Sequence, residues 1–288
     1  MKKAILFILF AVSLSCGGQN INISNLGSLK VSKSDSIGKT ILEPTQYIAT
    51  YSYKYVRDAQ CPDDVRNTTT ILQIGNCYNR FCDYNILRYD SICDEGAHGQ
   101  TEVSNMMSEA LYCLRNTRFK ESIVVDKGKQ TETIQRTIGT KKYQYDEAVP
   151  IIEWELLEGD TVISQHKCNK AKGWLFGREY IAWYAQDVAI PFGPYKFSGL
   201  PGLIFKITDT SGHHDFTLNG LQKANKYQPL YMWNNKKIIK SNRKTVRQIY
   251  MNYCLDPVGM LTADGNIQIS ESDKSKVKQK PYNPIELE

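Results

Sequence analysis

The chain is poor in several of the things that make a function easy to read. It has only four histidines in 288 residues. There is no G-x-S-x-G, no H-E-x-x-H and no glycine-rich loop with the spacing that cradles phosphate, so the familiar hydrolase, metalloprotease and nucleotide signatures are missing. Internal repeats are absent. Charge of one sign is not concentrated: 36 Lys and Arg stand against 30 Asp and Glu, a formal +6, two units of which are Lys2 and Lys3. Nucleic-acid binding is therefore not expected. The basic runs at residues 236–247 and 274–280 read as a solvated face and tail rather than phosphate or membrane contacts. After the first 20 residues no apolar stretch is long enough to span a bilayer as a helix.

Those first residues, MKKAILFILFAVSLSCGGQN, have the layout of a secretory signal: two lysines, an apolar run, then small residues. Residues 1–18 are read as this signal, with ordinary cleavage favoured and lipidation of Cys16 as the alternative. Either route carries the mature protein out of the cytoplasm, to the periplasm or the cell surface. Residues 19–44 read as a leader and 45–288 as one domain. In an exported chain Cys61, Cys77, Cys82, Cys93, Cys113, Cys168 and Cys254 are disulfide candidates, and their crowding between 61 and 113 predicts a stapled loop with at least one thiol left over.

Period-2 patterns dominate. QYIATYSYKYV sets Tyr47, Ala49, Tyr51, Tyr53 and Tyr55 on one strand face. Strands are also predicted at 68–75, on both sides of a turn at 126–129, before a turn at 158–160, at REYIAWYAQDV, and in a hairpin across SGHHD. Helical spacing of Val103, Met107, Ala110 and Leu114, with Thr101 placed to cap, predicts a helix. Another is expected across SNRKTVRQIYMNY. The fold class is mainly β (α+β): a single antiparallel, curved meander sheet with one or two packed helices. Whether the sheet lies flat, curls into a half-barrel or folds into a sandwich is left open.

Few residues offer chemistry. His213, His214 and Asp215 read as a polar hairpin tip. His166 and Cys168 share a strand face, the one spacing here that a Cys–His nucleophile could use. Glu153 and Glu155 share another, more cheaply explained as a solvated face. Three Asp-Ser/Thr-apolar triplets place Ser36, Ser91 and Thr161 at the surface and look like O-glycosylation sites. The aromatics Trp174, Tyr180, Trp183, Tyr184 and Tyr195 are the candidate ligand platform. No cofactor or metal is expected.

GLPGLI, Gly199 to Ile204, reads as a type II turn over Leu200-Pro201-Gly202-Leu203, with Gly202 at positive φ, entering a buried strand. This hexapeptide, with YQYDEAVPIIEWEL (143–156), the block from Cys168 to Asp209, ILQIG (71–75) and the terminal NPIELE, resembles the GLPGLI family of exported proteins of Bacteroidota. The resemblance implies an exported, β-rich envelope protein and no named activity. The resulting expectation is a non-catalytic binding or accessory protein, taking an apolar ligand or serving an outer-membrane partner. An extracytoplasmic hydrolase is the alternative.

Overall fold

A computed structural model describes residues 36–99, 103–263, 270, 274 and 277–288. The expected signal, Cys16 and the capping Thr101 lie outside these residues. The protein is mainly β with few helices. Twelve strands form one open sheet.

Strands β2 (Tyr47–Val56), β3 (Val65–Ile74), β4 (Tyr78–Asp83), β5 (Glu121–Asp126), β6 (Thr131–Ile138) and β7 (Lys141–Ala148) follow one another as antiparallel neighbours. A second run, β8 (Glu155–Ile163), β9 (His166–Leu175), β10 (Arg178–Ala185), β11 (Leu203–Asp209) and β12 (His214–Lys223), joins the first where β12 pairs with β2. The sheet is not wholly antiparallel: β14 (Ile239–Lys240) runs parallel to β7. Nor is it single. β1 (Lys39–Pro44), from the segment expected to be leader, pairs with β13 (Pro229–Trp233) as a separate ribbon.

The tyrosine row of β2 follows its spacing at the centre of the strand but not at its start, where Tyr47 is 38% exposed. Ala49, Tyr51 and Tyr53 are buried in the main core, while Lys54 is exposed. Tyr53 stacks on Phe216, centroids 4.1 Å apart. Buried residues of β2–β7 and of β9–β12 belong to one continuous apolar cluster, so both runs share one inner face. Helix α3 (Arg243–Leu255) begins at Asn242, whose side chain accepts the Thr245 N–H, and it buries Val246 against that cluster. Helix α4 (Pro257–Thr262) follows directly.

Three expectations fail for physical reasons. The stapled loop is instead β4 and helix α1 (Tyr84–Gly99), which precedes α2 (Val103–Asn116). Asp83 caps α1 by accepting the Asn85 N–H, and its other oxygen takes the Arg118 and Phe119 N–H groups, tying both helices to the sheet. All seven cysteines are free thiols; Cys61 and Cys77 are exposed and the other five are buried on separate elements. Cys82, for example, packs with Ile48 and Ile71 as a small hydrophobe. The turn expected at 158–160 is absent, because β8 runs through it with a register shift between Leu157 and Asp160.

GLPGLI is not a type II turn. The positive φ belongs to Gly199, at 93°, and not to Gly202. Around Pro201 the Gly202 N–H instead reaches the Leu200 carbonyl at 2.8 Å, a three-residue turn. Gly202 is needed for closeness: a Cβ there would stand 2.1 Å from the Ala185 carbonyl oxygen. Leu200, Leu203 and Ile204 are buried, so the hexapeptide plugs the core.

Candidate functional site

Strand alternation divides the five aromatics expected to form a platform. Tyr180 and Tyr184 face inward and are 1% exposed, and Tyr195 is buried with them. Trp183 and Trp174 point to the other face, Trp174 being 62% exposed. They do not form one surface. His166 and Cys168 do not form a nucleophile pair either: the Cys168 thiol donates to the carbonyl of His166, whose ring is paired with Asp187 at 2.6 Å. Burial also raises the thiol's pKa, against thiolate formation. Glu153 and Glu155 are exposed, with Glu155 paired to Lys172 at 3.0 Å. The hydroxyl-bearing residues of the three triplets, Ser36, Ser91 and Thr161, are exposed, though Ser91 lies on α1 and Thr161 on β8 rather than in turns.

The hairpin tip is where sequence reasoning misses most. His214 starts β12 with its side chain inward, 1% exposed. Its Nδ1 lies 2.8 Å from the Tyr53 hydroxyl, and its backbone N–H donates to Asp209 at 2.7 Å. Burial, followed by the charge of Arg178, pushes its pKa down to about 3, so the imidazole is neutral. Nδ1 can accept from the Tyr53 O–H, the tautomer that places the ring proton on Nε2.

Next to it lies a network of buried charges. Lys196, carried by the loop between β10 and β11, extends its ammonium among Glu132, Glu147 and Glu286, 3.1 Å from Glu132 and 2.9 Å from Glu286. Burial drives Glu132 up to about 8, even against the Lys196 charge, and the neighbouring Glu147 carboxylate pushes in the same direction. Glu286 goes the other way: burial would raise it, but Lys196, Tyr195 and Arg243 hold it below the usual carboxylate range. Glu121 pairs with Arg136 at 2.6 Å, whose guanidinium lies 3.8 Å from the Tyr250 ring centre.

The C-terminal segment closes the arrangement. Arg178 donates to the Asn283 side chain and the Pro284 carbonyl, both at 2.7 Å, and ion-pairs with Asp209 at 3.0 Å. Tyr180 donates to the Ile285 carbonyl, Arg247 to that of Glu286, and the Leu287 N–H to Phe176. Thus YQYDEAVP contributes Glu147, the long central block Lys196 and Arg178, and NPIELE Glu286. Motifs far apart in sequence share one network.

Between this segment, β5–β6 and α3 is a cavity of about 110 Å³, lined by Tyr53, Phe119, Glu121, Arg136, His214, Tyr250 and residues 282–286, with Arg118 and Lys120 at its exposed side. Three polar atoms in its walls have no hydrogen-bond partner: Glu121 Oε2, Arg136 Nε and His214 Nε2. Sequence reasoning could have noticed these residues only as lone charges among apolar neighbours, such as Lys196 between Tyr195 and Phe197.

No known family's sequence profile matches the chain. No curated protein matches it. Among solved structures, two crystal forms of PNGF-II match with a TM-score of 0.49, at 10% and 11% identity, covering 73% of this chain and 34% and 33% of theirs. The chain spans about a third of the length of those proteins. Among the described residues no helix is long and apolar enough to cross a membrane.

Proposed function

We propose that this is an exported, non-catalytic binding protein of the cell envelope, of GLPGLI type, in which a half-barrel sheet and the C-terminal segment enclose a small polar ligand site. One observation carries the reading: Glu121 Oε2, Arg136 Nε and His214 Nε2 line one cavity without hydrogen bonds, and buried polar atoms left unpaired cost about 1–3 kcal/mol each. A ligand, or the water it displaces, recovers that cost. Binding is favoured over hydrolysis because the Cys168 thiol is buried and its neighbour His166 is committed to Asp187. The polar lining also favours a polar ligand over the apolar one suggested by the aromatic sequence. An outer-membrane partner remains compatible with this role.

The test is the intact mass, under native conditions, of protein released gently from its own envelope. A stoichiometric small adduct that leaves on denaturation is the expected result. Bare protein would overturn the reading, and turnover of ester, amide or glycoside substrates would replace it with the hydrolase.

A further inference from the structure

We infer that the cavity between β5–β6, α3 and the C-terminal segment takes a small organic molecule carrying a carboxylate at one end and a hydroxyl or ammonium donor at the other. This rests on the binding-protein reading above and names its ligand class.

The argument starts from size. About 110 Å³ is somewhat below the ~150 Å³ of an engineered cavity that holds benzene. It therefore admits a handful of non-hydrogen atoms. Charge then sets the polarity of each end. At the exposed side stand Arg118 and Lys120, neither in an ion pair with a carboxylate among the described residues, with Arg247 beside them. That rim attracts an anion. Arg118 is also the more suited to a carboxylate, because its guanidinium can donate two parallel hydrogen bonds.

The buried end has the opposite requirement. Glu121 lines the cavity and is 6% exposed, with one oxygen held by Arg136 Nη1 and the other, Oε2, buried without a hydrogen-bond partner. That oxygen repels a second carboxylate or a phosphate and calls for a donor. His214 Nε2–H, 1% exposed, and Arg136 Nε–H beside it can both donate to an oxygen of the ligand. A hydroxy acid of two to four carbons satisfies all of these groups, its hydroxyl donating to Glu121 and accepting from His214 and Arg136, and an amino acid of that size satisfies Glu121 through its ammonium. Acetate leaves Glu121 unpaired, and phosphate places charge against it.

The experiment is calorimetric titration of the full chain with lactate, glycine, acetate and inorganic phosphate. Lactate or glycine is expected to bind at least about tenfold more tightly than acetate or phosphate. Glu121→Gln should erase the preference over acetate. Because that change leaves Arg136 without its counter-charge, the exposed pair Arg118→Glu and Lys120→Glu provides a second arm: affinity should fall about tenfold or more with unfolding unchanged. Acetate or phosphate binding as tightly as lactate and glycine would overturn the ligand class, as would no binding of any of the four. The native adduct separates the two levels. An adduct that persists in the Arg118→Glu, Lys120→Glu protein keeps the binding-protein reading and overturns this site. An adduct lost in that variant but lacking a carboxylate overturns the ligand class, and no adduct in the unaltered protein overturns both.

Discussion

The two faces of the sheet each bury an arginine, and they solve the problem differently. On the outer face Arg80, from β4, donates to Ser122 at 3.0 Å and lies over the Tyr231 ring, 3.9 Å from its centre. Tyr231 and Trp233 both donate to Asp90 of α1, at 2.6 and 2.7 Å. Gln135 clasps the Trp233 backbone from both sides, donating to its carbonyl at 2.7 Å and accepting its N–H at 3.0 Å. The charge here is wrapped in aromatic rings, with α1 and the β1–β13 ribbon laid over it. On the inner face Arg136 stacks on Tyr250, but a cavity runs alongside and three buried polar atoms of its lining residues lack a hydrogen-bond partner. Arg80 Nη2 is also without a hydrogen-bond partner, so the two clusters differ in the cavity beside Arg136 and not in one being fully paired. Unpaired polar groups beside room for a ligand are what a binding site needs, whereas a cluster wrapped in rings serves to hold layers in register.

Lys196→Met should produce the largest loss, because it removes the cation shared by Glu132, Glu147 and Glu286. About 4 kcal/mol is expected in denaturant unfolding. A loss below about 1 kcal/mol would mean the inner cluster is solvated and not enclosed. Arg80→Met on the other face is expected to cost somewhat less, about 3 kcal/mol, since Asp90 keeps its two aromatic donors. It should leave ligand affinity unchanged, and a shift in affinity would break the contrast between the faces.

Gly202→Ala comes next. The added Cβ meets the Ala185 backbone, and an overpacking cost of about 2 kcal/mol is expected. Because the loop it anchors delivers Tyr195 and Lys196, the inner network should loosen while the Trp233 environment, read by fluorescence, stays put. A change in that fluorescence would argue that the faces are coupled.

The smallest effect is a slope with pH. His214 has a pKa of about 3 in the fold against 6.5 ordinarily. As pH falls below about 6.5 the unfolded chain takes up a proton that the folded protein refuses, so stability drops. The loss is up to about 1.4 kcal/mol per pH unit until pH approaches the folded value. Glu132, raised by burial to about 8, acts in the opposite sense: from there down to 4.5 the folded state binds the extra proton and gains stability. Comparing His214→Gln with the unaltered protein separates the two. If their stabilities run parallel from pH 7 to 4, His214 is not buried as a neutral ring.

Much of the β architecture was legible because alternation is local. The tyrosines of β2, the hairpins β5–β6 and β11–β12, and helices α2 and α3 all follow from neighbours within a few residues of one another. Helix α1 is not legible in the sequence, because its apolar positions do not repeat cleanly and its cysteines pattern like a disulfide loop. Its start was still marked: Asp83 stands one residue before it, with the side-chain oxygen such an entry uses. GLPGLI shows a subtler failure. Proline followed by glycine is an honest turn signal, yet the constraint on Gly202 comes from the backbone at Ala185, which no local rule contains.

Chain chemistry thus settled the class of fold, the faces of the principal strands and the absence of familiar catalytic motifs, all properties of short range. Where the charges meet was set in three dimensions. Tyr195 finds Glu286 across 91 residues, Arg178 finds Pro284 across 106, and Trp233 finds Asp90 across 143. A lone lysine between two aromatics has the same local pattern whether it faces water or three carboxylates. Only folding removes the water and brings the carboxylates within reach, and that juxtaposition makes both the network and the cavity beside it.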